Sequence, residues 1–147
     1  MKFRVFVYGT LKKGLWNYER FLKGSGSEYF GEAVSVDRFK MIDVGFPVIT
    51  AHEEGEQVAG EIFTVDDEVL AQLDRLEREG RSYHRRMMDF TLANGQSQPT
   101  KAFVYVGGDR FKGAFQRGPL DTHCNERREL DWQPRRYGID DGLYEVS

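Results

Sequence analysis

The chain has 147 residues and a mass of 17.0 kDa, which suits one domain of ordinary size. Hydrophobic residues make up 39% of it and aromatic residues 14%, enough to form a real core, so global disorder is excluded. No apolar run approaches the roughly 20 residues that span a bilayer, and the first residues soon reach Lys12 and Lys13, unlike a secretory signal.

The charge balance argues against nucleic acid as a partner. Lys and Arg total 21 against 24 Asp and Glu, a net charge of −3, so the basic excess typical of nucleic-acid-binding domains is missing. The single cysteine, Cys124, cannot form an internal disulfide and offers no zinc framework, which fits a reducing compartment. We therefore expect a cytoplasmic monomer with no nucleic-acid or membrane partner.

The first half of the chain is predicted to be rich in strands. Residues 4–8 are β-branched and aromatic, as strands are. Residues 17–23 are predicted to form a short helix that is capped by Asn17 and ended by Gly24. Further strand-like stretches, separated by Gly, Pro or acidic turns, are found at 33–42, 48–51 and 58–65.

Residues 66–77 form the clearest predicted helix. Asp66 can cap it, Asp67 and Glu68 suit the positive end of its dipole, and an apolar stripe runs through Val69, Leu70, Leu73 and Leu76. Strands are predicted over 83–92 and 101–106. Beyond Gly107 the periodicity fades, leaving only candidate aromatic anchors at Phe111, Phe115, Trp132, Tyr137 and Tyr144. Together, these predicted elements indicate one α+β domain over residues 1–147, with a small barrel or curved sheet beside one main helix.

Glu77 continues the apolar stripe of this helix. At about 100° per residue it falls within roughly 40° of Leu73. Such a glutamate either turns to solvent at the helix end, which periodicity alone somewhat favours, or lines a cavity with a raised pKa. A raised pKa is what a general base near neutral pH needs. Glu79 is the competing candidate, but it falls away from the stripe.

The junction from Tyr8 to Leu11 follows the first strand. A glycine at this point lets the backbone turn, so that successive N–H groups can face one anion, although Gly-Thr after a strand is usually only a turn. The segment is not a phosphate loop, because the glycine spacing and the Gly-Lys-Ser/Thr pair are missing.

Several motifs in order carry a family resemblance. VFVYGTLKKG at 5–14, followed by Asn17, resembles the N-terminal signature of gamma-glutamylcyclotransferase-like proteins, and most closely that of the gamma-glutamylamine cyclotransferase branch. The other matching segments, which bring the resemblance to about residues 3–106, are FPVI at 46–49, VAGEIF at 58–63, LDRLE at 73–77 and YHR at 83–85.

The resemblance implies a small β-barrel with flanking helices and an active cavity at its mouth. It assigns Glu77 as the general acid and base, and the six-residue spacing to Tyr83 selects it over Glu79. Many similar proteins have glycine where this chain has Arg78. The implied loop that holds the glutamyl group through its main chain comprises Tyr8, Gly9, Thr10 and Leu11.

The implied reaction is cyclisation of a gamma-glutamyl amine, with release of 5-oxoproline and a free amine and with no metal or cofactor. Tyr83 is a candidate substrate contact, Asn17 is interpreted as a helix cap rather than a brace for the loop, and Arg85 as structural. The histidines show no metal spacing. Two alternatives stay open: a non-catalytic module that binds a small acidic metabolite, and an interaction protein that uses the aromatic tail.

Overall fold

The computed structural model describes residues 1–95, 98–117 and 124–134. Predictions for His123, Tyr137 and Tyr144 fall outside these residues. The strands are β1 (Lys2–Val7), β2 (Glu28–Ser35), β3 (Phe39–Asp43), β4 (Pro47–Ala51), β5 (Ala59–Asp66), β6 (Tyr83–Leu92) and β7 (Thr100–Gly107). The helices are a π-helical turn (Tyr18–Leu22), α1 (Asp67–Leu76), a 3-10 turn (Asp109–Phe111) and α2 (Lys112–Arg117).

Five strands close into a barrel in the order β1-β5-β2-β6-β7. Strand β1 completes the closure, since Val5 pairs antiparallel with Phe63 of β5 and parallel with Phe103 of β7. Strands β3 and β4 form a separate hairpin. The predicted α+β barrel with flanking helices is confirmed. No helix among the described residues has the length and apolar character that a membrane crossing requires.

The second half of strand β1, Val5 to Val7, is buried on both of its faces. Val5 and Val7 face a cluster that includes the apolar side of α1, whereas Phe6 belongs to a cluster to which all barrel strands contribute. Because both faces are covered there, this half of the strand is continuously apolar, whereas the first half alternates the exposed Lys2 and Arg4 with Phe3. Strand β1 therefore leads directly from the core of the barrel to the loop at its end.

Helix α1 follows the sequence pattern closely. The Asp66 carboxylate accepts a hydrogen bond from the Val69 N–H at 2.9 Å, which satisfies one of the unpaired donors of the first turn. Val69, Leu70 and Leu73 are buried against the barrel. The helix ends at Leu76, so the next residue, Glu77, lies where α1 meets the barrel mouth.

Two predicted elements differ from the structure. The single stretch at 33–42 is the end of β2 and most of β3, because the Ser35 hydroxyl receives the Val58 N–H and donates to the Asp37 carbonyl, which fixes a turn between the strands. The helix predicted at 17–23 is a shorter π-helical turn, and the side chain of Asn17 makes no cap hydrogen bond.

The segment after Gly107 closes parts of the core that the barrel strands leave open. Phe111 is buried beside α1, and Trp132 is 1% exposed in the cluster inside the barrel. Leu130 extends this contact through main-chain hydrogen bonds with Gln57 and Ala59. This packing brings the side chain of Arg110 to the barrel mouth as well.

Candidate active site

A cavity of about 250 Å³ opens at the end of the barrel where β1 and β7 finish and β6 begins. The parallel pairing of β1 with β7 and the antiparallel pairing of β6 with β7 place these three strand ends together. The cavity is lined by all of the residues that the sequence predicts for the site: Tyr8, Gly9, Thr10, Leu11, Glu77 and Tyr83.

Glu77 lines this cavity. Its main-chain N–H donates to the Leu73 carbonyl at 2.9 Å, which continues the last turn of α1. Within the described part of the chain, its carboxyl group has no hydrogen bond and no ion pair. Burial raises the pKa of Glu77 to about 7, and no neighbouring charge offsets that rise. Near neutral pH this group can both accept and release a proton.

The loop after β1 lines the same cavity. The Gly9 carbonyl accepts the Lys12 N–H at 3.0 Å, and the Thr10 carbonyl accepts the N–H groups of Asn17 and Tyr18. The N–H groups of residues 9–11 have no acceptor among the described residues, so they are available to an anion in the cavity.

Gly9 is required by space rather than by backbone conformation. Its φ lies outside the left-handed region, so a flexible backbone is not the reason for glycine here. A Cβ at this position would lie 2.8 Å from Cγ of Pro47. The absence of a side chain lets the loop pack directly on the start of β4.

The interpretation of Asn17 as a helix cap is wrong. Its Nδ2 donates instead to the Thr10 hydroxyl at 2.6 Å. The backbone of Asn17 is helical, with φ −77° and ψ −27°, whereas a capping residue has an extended backbone that turns its side chain toward the first N–H groups. Asn17 therefore braces the loop at Thr10, one of the residues that line the cavity.

Three tyrosine hydroxyls around the cavity donate to other groups than Glu77. Tyr8 donates to the Tyr105 carbonyl at 2.6 Å, Tyr83 to the Pro47 carbonyl at 3.2 Å, and Tyr105 to a carboxylate oxygen of Asp74 at 2.7 Å. Burial is the main cause that raises the pKa of each tyrosine, so all three stay protonated and neutral. They form a fixed wall, and the contact predicted for Tyr83 with substrate stays a prediction.

Asp74 shows how an acid near Glu77 can be fully paired. Besides the Tyr105 hydroxyl, it receives Nη1 of Arg85 at 2.6 Å, which fits the structural interpretation of that arginine. Glu79 is exposed, does not line the cavity, and lies 3.4 Å from the Arg85 N–H. Of the acids at this end of α1, only Glu77 faces the cavity.

The match to known proteins extends past the motifs. The model of the family described as gamma-glutamyl cyclotransferase, AIG2-like, matches residues 5–132, which include the segment that packs Trp132 into the core. The chain belongs to this family. The predicted enzyme class, a gamma-glutamylcyclotransferase type, is confirmed at that level.

Relatives and solved structures agree with the assignment. Gamma-glutamylaminecyclotransferase B of Danio rerio is 35% identical over 110 residues, which cover 69% of this chain and 58% of that protein. Gamma-glutamylaminecyclotransferase of Rattus norvegicus is 32% identical over 112 residues, or 69% of this chain and 75% of the relative. An AIG2-like protein from Mus musculus shares the fold, with a TM-score of 0.71, 24% identity, and coverage of 92% of this chain and 99% of the other.

Sequence reasoning missed one cavity residue, Arg110, and noted another, Arg78, only as a departure from the family pattern. Arg78 and Arg110 both line the cavity. Arg78 stands where the family resemblance implies glycine, and its backbone has φ 49°, in the left-handed region that favours glycine. Arg110 lies in the segment without periodicity, so no pattern pointed to it. The described residues contain no group of three or more His, Cys, Asp or Glu arranged to hold a metal ion.

Proposed function

We propose that this protein cyclises gamma-glutamyl amines to 5-oxoproline and a free amine, with Glu77 as general base and then general acid. One observation carries the proposal: the carboxyl group of the half-buried Glu77 shares a small cavity with the N–H groups of residues 9–11, and none of these groups has a partner among the described residues. The family assignment and the names of the relatives support the same chemistry.

The reaction needs little more than orientation and proton transfer. The α-amine of the glutamyl group attacks the side-chain carbonyl carbon, so that a new C–N bond closes a five-membered ring. The original amide C–N bond breaks, and the amine leaves. Because the nucleophile and the carbonyl belong to one molecule, holding them in a reactive geometry supplies much of the acceleration.

Glu77 would move the proton in both halves of the reaction. It first takes a proton from the attacking α-ammonium group and later gives it to the departing nitrogen. An unperturbed glutamate, with a pKa of about 4.3, would be too weak a base for the first transfer. The rise of its pKa to about 7 brings the group close to the pH at which both transfers are efficient.

The loop of residues 9–11 would bind the glutamyl α-carboxylate. Its N–H groups offer hydrogen bonds to an anion without adding a mobile charge, and hydrogen bonds to a carboxylate are stronger than those between neutral groups. Tyr8 and Tyr83 would close the walls, with the Tyr83 ring as the predicted substrate contact. The two ends of the glutamyl group would then be fixed on either side of the reacting atoms.

A panel of gamma-glutamyl amines, gamma-glutamyl dipeptides and glutathione, with 5-oxoproline as the measured product, tests the proposal. We expect product from at least one gamma-glutamyl amine, and at least about 100-fold slower release from the folded Glu77→Gln variant. Binding without product across the panel would support the alternative of a non-catalytic module. The presence of Glu77 in the cavity argues against that alternative, because a carboxylate would repel an anionic ligand without contributing to its binding.

A further inference from the structure

We propose that Arg78 and Arg110 bind a carboxylate on the leaving amine, so that gamma-glutamyl α-amino acids are preferred over gamma-glutamyl derivatives of uncharged amines. The inference rests on the proposed function and names the substrate class of the same site. Both arginines line the cavity that holds Glu77. Guanidinium groups suit this role because they form paired hydrogen bonds with carboxylates.

Arg78 occupies a backbone position that costs stability. Its φ of 49° lies in the left-handed region, which is strained for a residue with a side chain and free of strain for glycine. The conformation is held by the main chain, since the Arg78 carbonyl accepts the N–H groups of Arg81 and Ser82. A strained arginine at the edge of an active cavity is best explained by what its side chain does there.

Arg110 is anchored so that its charge stays at the cavity. Its Nη1 donates to the hydroxyl of Ser82 at 3.1 Å, and Ser82 is 4% exposed. The guanidinium also lies 5.3 Å from the centre of the Phe111 ring. Its positive charge acts on the Tyr83 hydroxyl in the cavity wall, where it opposes part of the rise in the pKa of that tyrosine. The charge is therefore felt inside the cavity although the residue is exposed.

Neither arginine is neutralised by the protein. Within residues 1–95, 98–117 and 124–134, neither guanidinium forms an ion pair with a carboxylate. Glu77 does not take this role, because burial alone sets its raised pKa and no cation lowers it. The mouth of the cavity thus presents two positive charges to whatever enters.

The geometry of the reaction separates the two carboxylates of such a substrate. The glutamyl α-carboxylate would lie at the loop of residues 9–11, where the free N–H groups are. Glu77 must reach the departing nitrogen within hydrogen-bond distance to protonate it. A carboxylate on the carbon attached to that nitrogen therefore lies beyond Glu77, at the level of the adjacent Arg78.

The test compares gamma-glutamylglycine with gamma-glutamylglycinamide, which have nearly the same size and differ by one negative charge. The measured quantity is the ratio of their kcat/KM values in the wild type and in Arg78→Gly, Arg110→Gln and Arg86→Gln. We expect the preference for gamma-glutamylglycine to fall about fivefold in each of the first two variants, the size of a partly exposed ion pair. Arg86 is exposed and does not line the cavity, so its variant should keep the wild-type ratio.

Two results would overturn the proposal. An unchanged ratio in both cavity variants would show that neither arginine senses the carboxylate. An equal loss on both substrates would place the guanidinium on the glutamyl half instead. Dissociation constants of the two compounds with Glu77→Gln, with and without each arginine change, supply the same comparison without turnover. If the wild type made no 5-oxoproline, the proposed function would fail, and these constants would still decide whether the arginines select the carboxylate.

Discussion

Two cavities flank the loop after β1, and each contains a glutamate whose pKa is raised by burial. The first is the cavity of Glu77. The second, about 350 Å³, lies between the barrel and residues 125–133 and contains Glu61. The Glu61 carboxylate accepts the Lys13 N–H at 2.7 Å, and the charges of Lys12 and Lys13 oppose the rise in its pKa. Glu77 has burial alone.

The difference between the cavities is one of satisfied and unsatisfied groups. In the second cavity, Nζ of Lys12 lies 2.6 Å from the Trp132 carbonyl and 3.5 Å from a carboxylate oxygen of Asp131. The polar groups there hold the loop to the protein. In the first cavity, neither the N–H groups of residues 9–11 nor the carboxyl group of Glu77 has a partner among the described residues. We therefore expect burial without a partner, rather than burial alone, to distinguish the proposed catalytic acid from Glu61.

Replacing each glutamate by glutamine gives the strongest test of this comparison. We expect Glu77→Gln to lose about 10²- to 10⁴-fold in kcat, because general acid and base catalysis contributes that range. Glu61→Gln should stay within about threefold of the wild type, since the glutamine oxygen can still accept the Lys13 N–H. Rates of 5-oxoproline release measure both variants. A large loss in Glu61→Gln with little loss in Glu77→Gln would reverse the roles of the cavities.

The pH dependence of stability sharpens the same contrast. A carboxyl group whose pKa is raised from about 4.5 to about 7 on folding stabilises the folded state below pH 4.5 and loses this contribution as pH rises to 7. The stability of Glu77→Gln relative to the wild type should therefore increase between pH 5 and pH 8, by up to about 3 kcal/mol. Urea unfolding at both pH values measures it, and a constant difference would show that Glu77 has an ordinary pKa.

A side chain at Gly9 should disturb the loop that lines the first cavity and lower activity. In Gly9→Ala the new Cβ would meet Cγ of Pro47 at 2.8 Å, so the loop must move at the face that lines the first cavity. We expect kcat/KM to fall about 10- to 100-fold, because small misplacements of binding groups are costly. Gly113→Ala is the matched control, since its Cβ would meet only the flexible end of Arg117. Equal activity of the two variants would refute a binding role for the loop.

Loss of the hydrogen bond between Asn17 and Thr10 should have the smallest effect of these changes. Asn17→Ala and Thr10→Val each remove the hydrogen bond between these side chains, at a cost of about 1 kcal/mol in the free energy of unfolding. Because they remove the same bond, the double variant should cost less than the sum of the two. We expect KM to rise more than kcat falls. Additive effects on stability would show that the bond contributes nothing.

Much of the fold could be predicted because local patterns agree with the packing. The Asp66 cap and the leucines of α1 mark a helix that is buried on one face. The two strands after it, β6 and β7, could likewise be predicted from local residue patterns. The turn at Ser35 could not be predicted, since it depends on a hydroxyl that reaches Val58 across the sheet. Contacts between distant segments are not encoded in periodicity.

The residues of the candidate site also divide into those that the sequence could predict and those that it could not. Glu77 and the loop at Gly9 stand out by position and by resemblance, but periodicity left the orientation of Glu77 open, because the end of a helix can turn to either side. Asn17 was misjudged, since its cap role depends on a backbone angle that no residue type fixes. Arg110 depends on how the segment after β7 packs on Ser82, which only the structure shows.

The most direct test of the central claim is the pKa of the Glu77 carboxyl group in the folded protein. Carbon NMR of the protein with labelled glutamate, with Glu77→Gln to assign the signal, follows this titration alone. We predict a midpoint of about 7, because burial raises the pKa of this carboxyl group. A midpoint near the ordinary glutamate value of about 4.3 would contradict the account, because the carboxyl group would then be solvated and too weak a base.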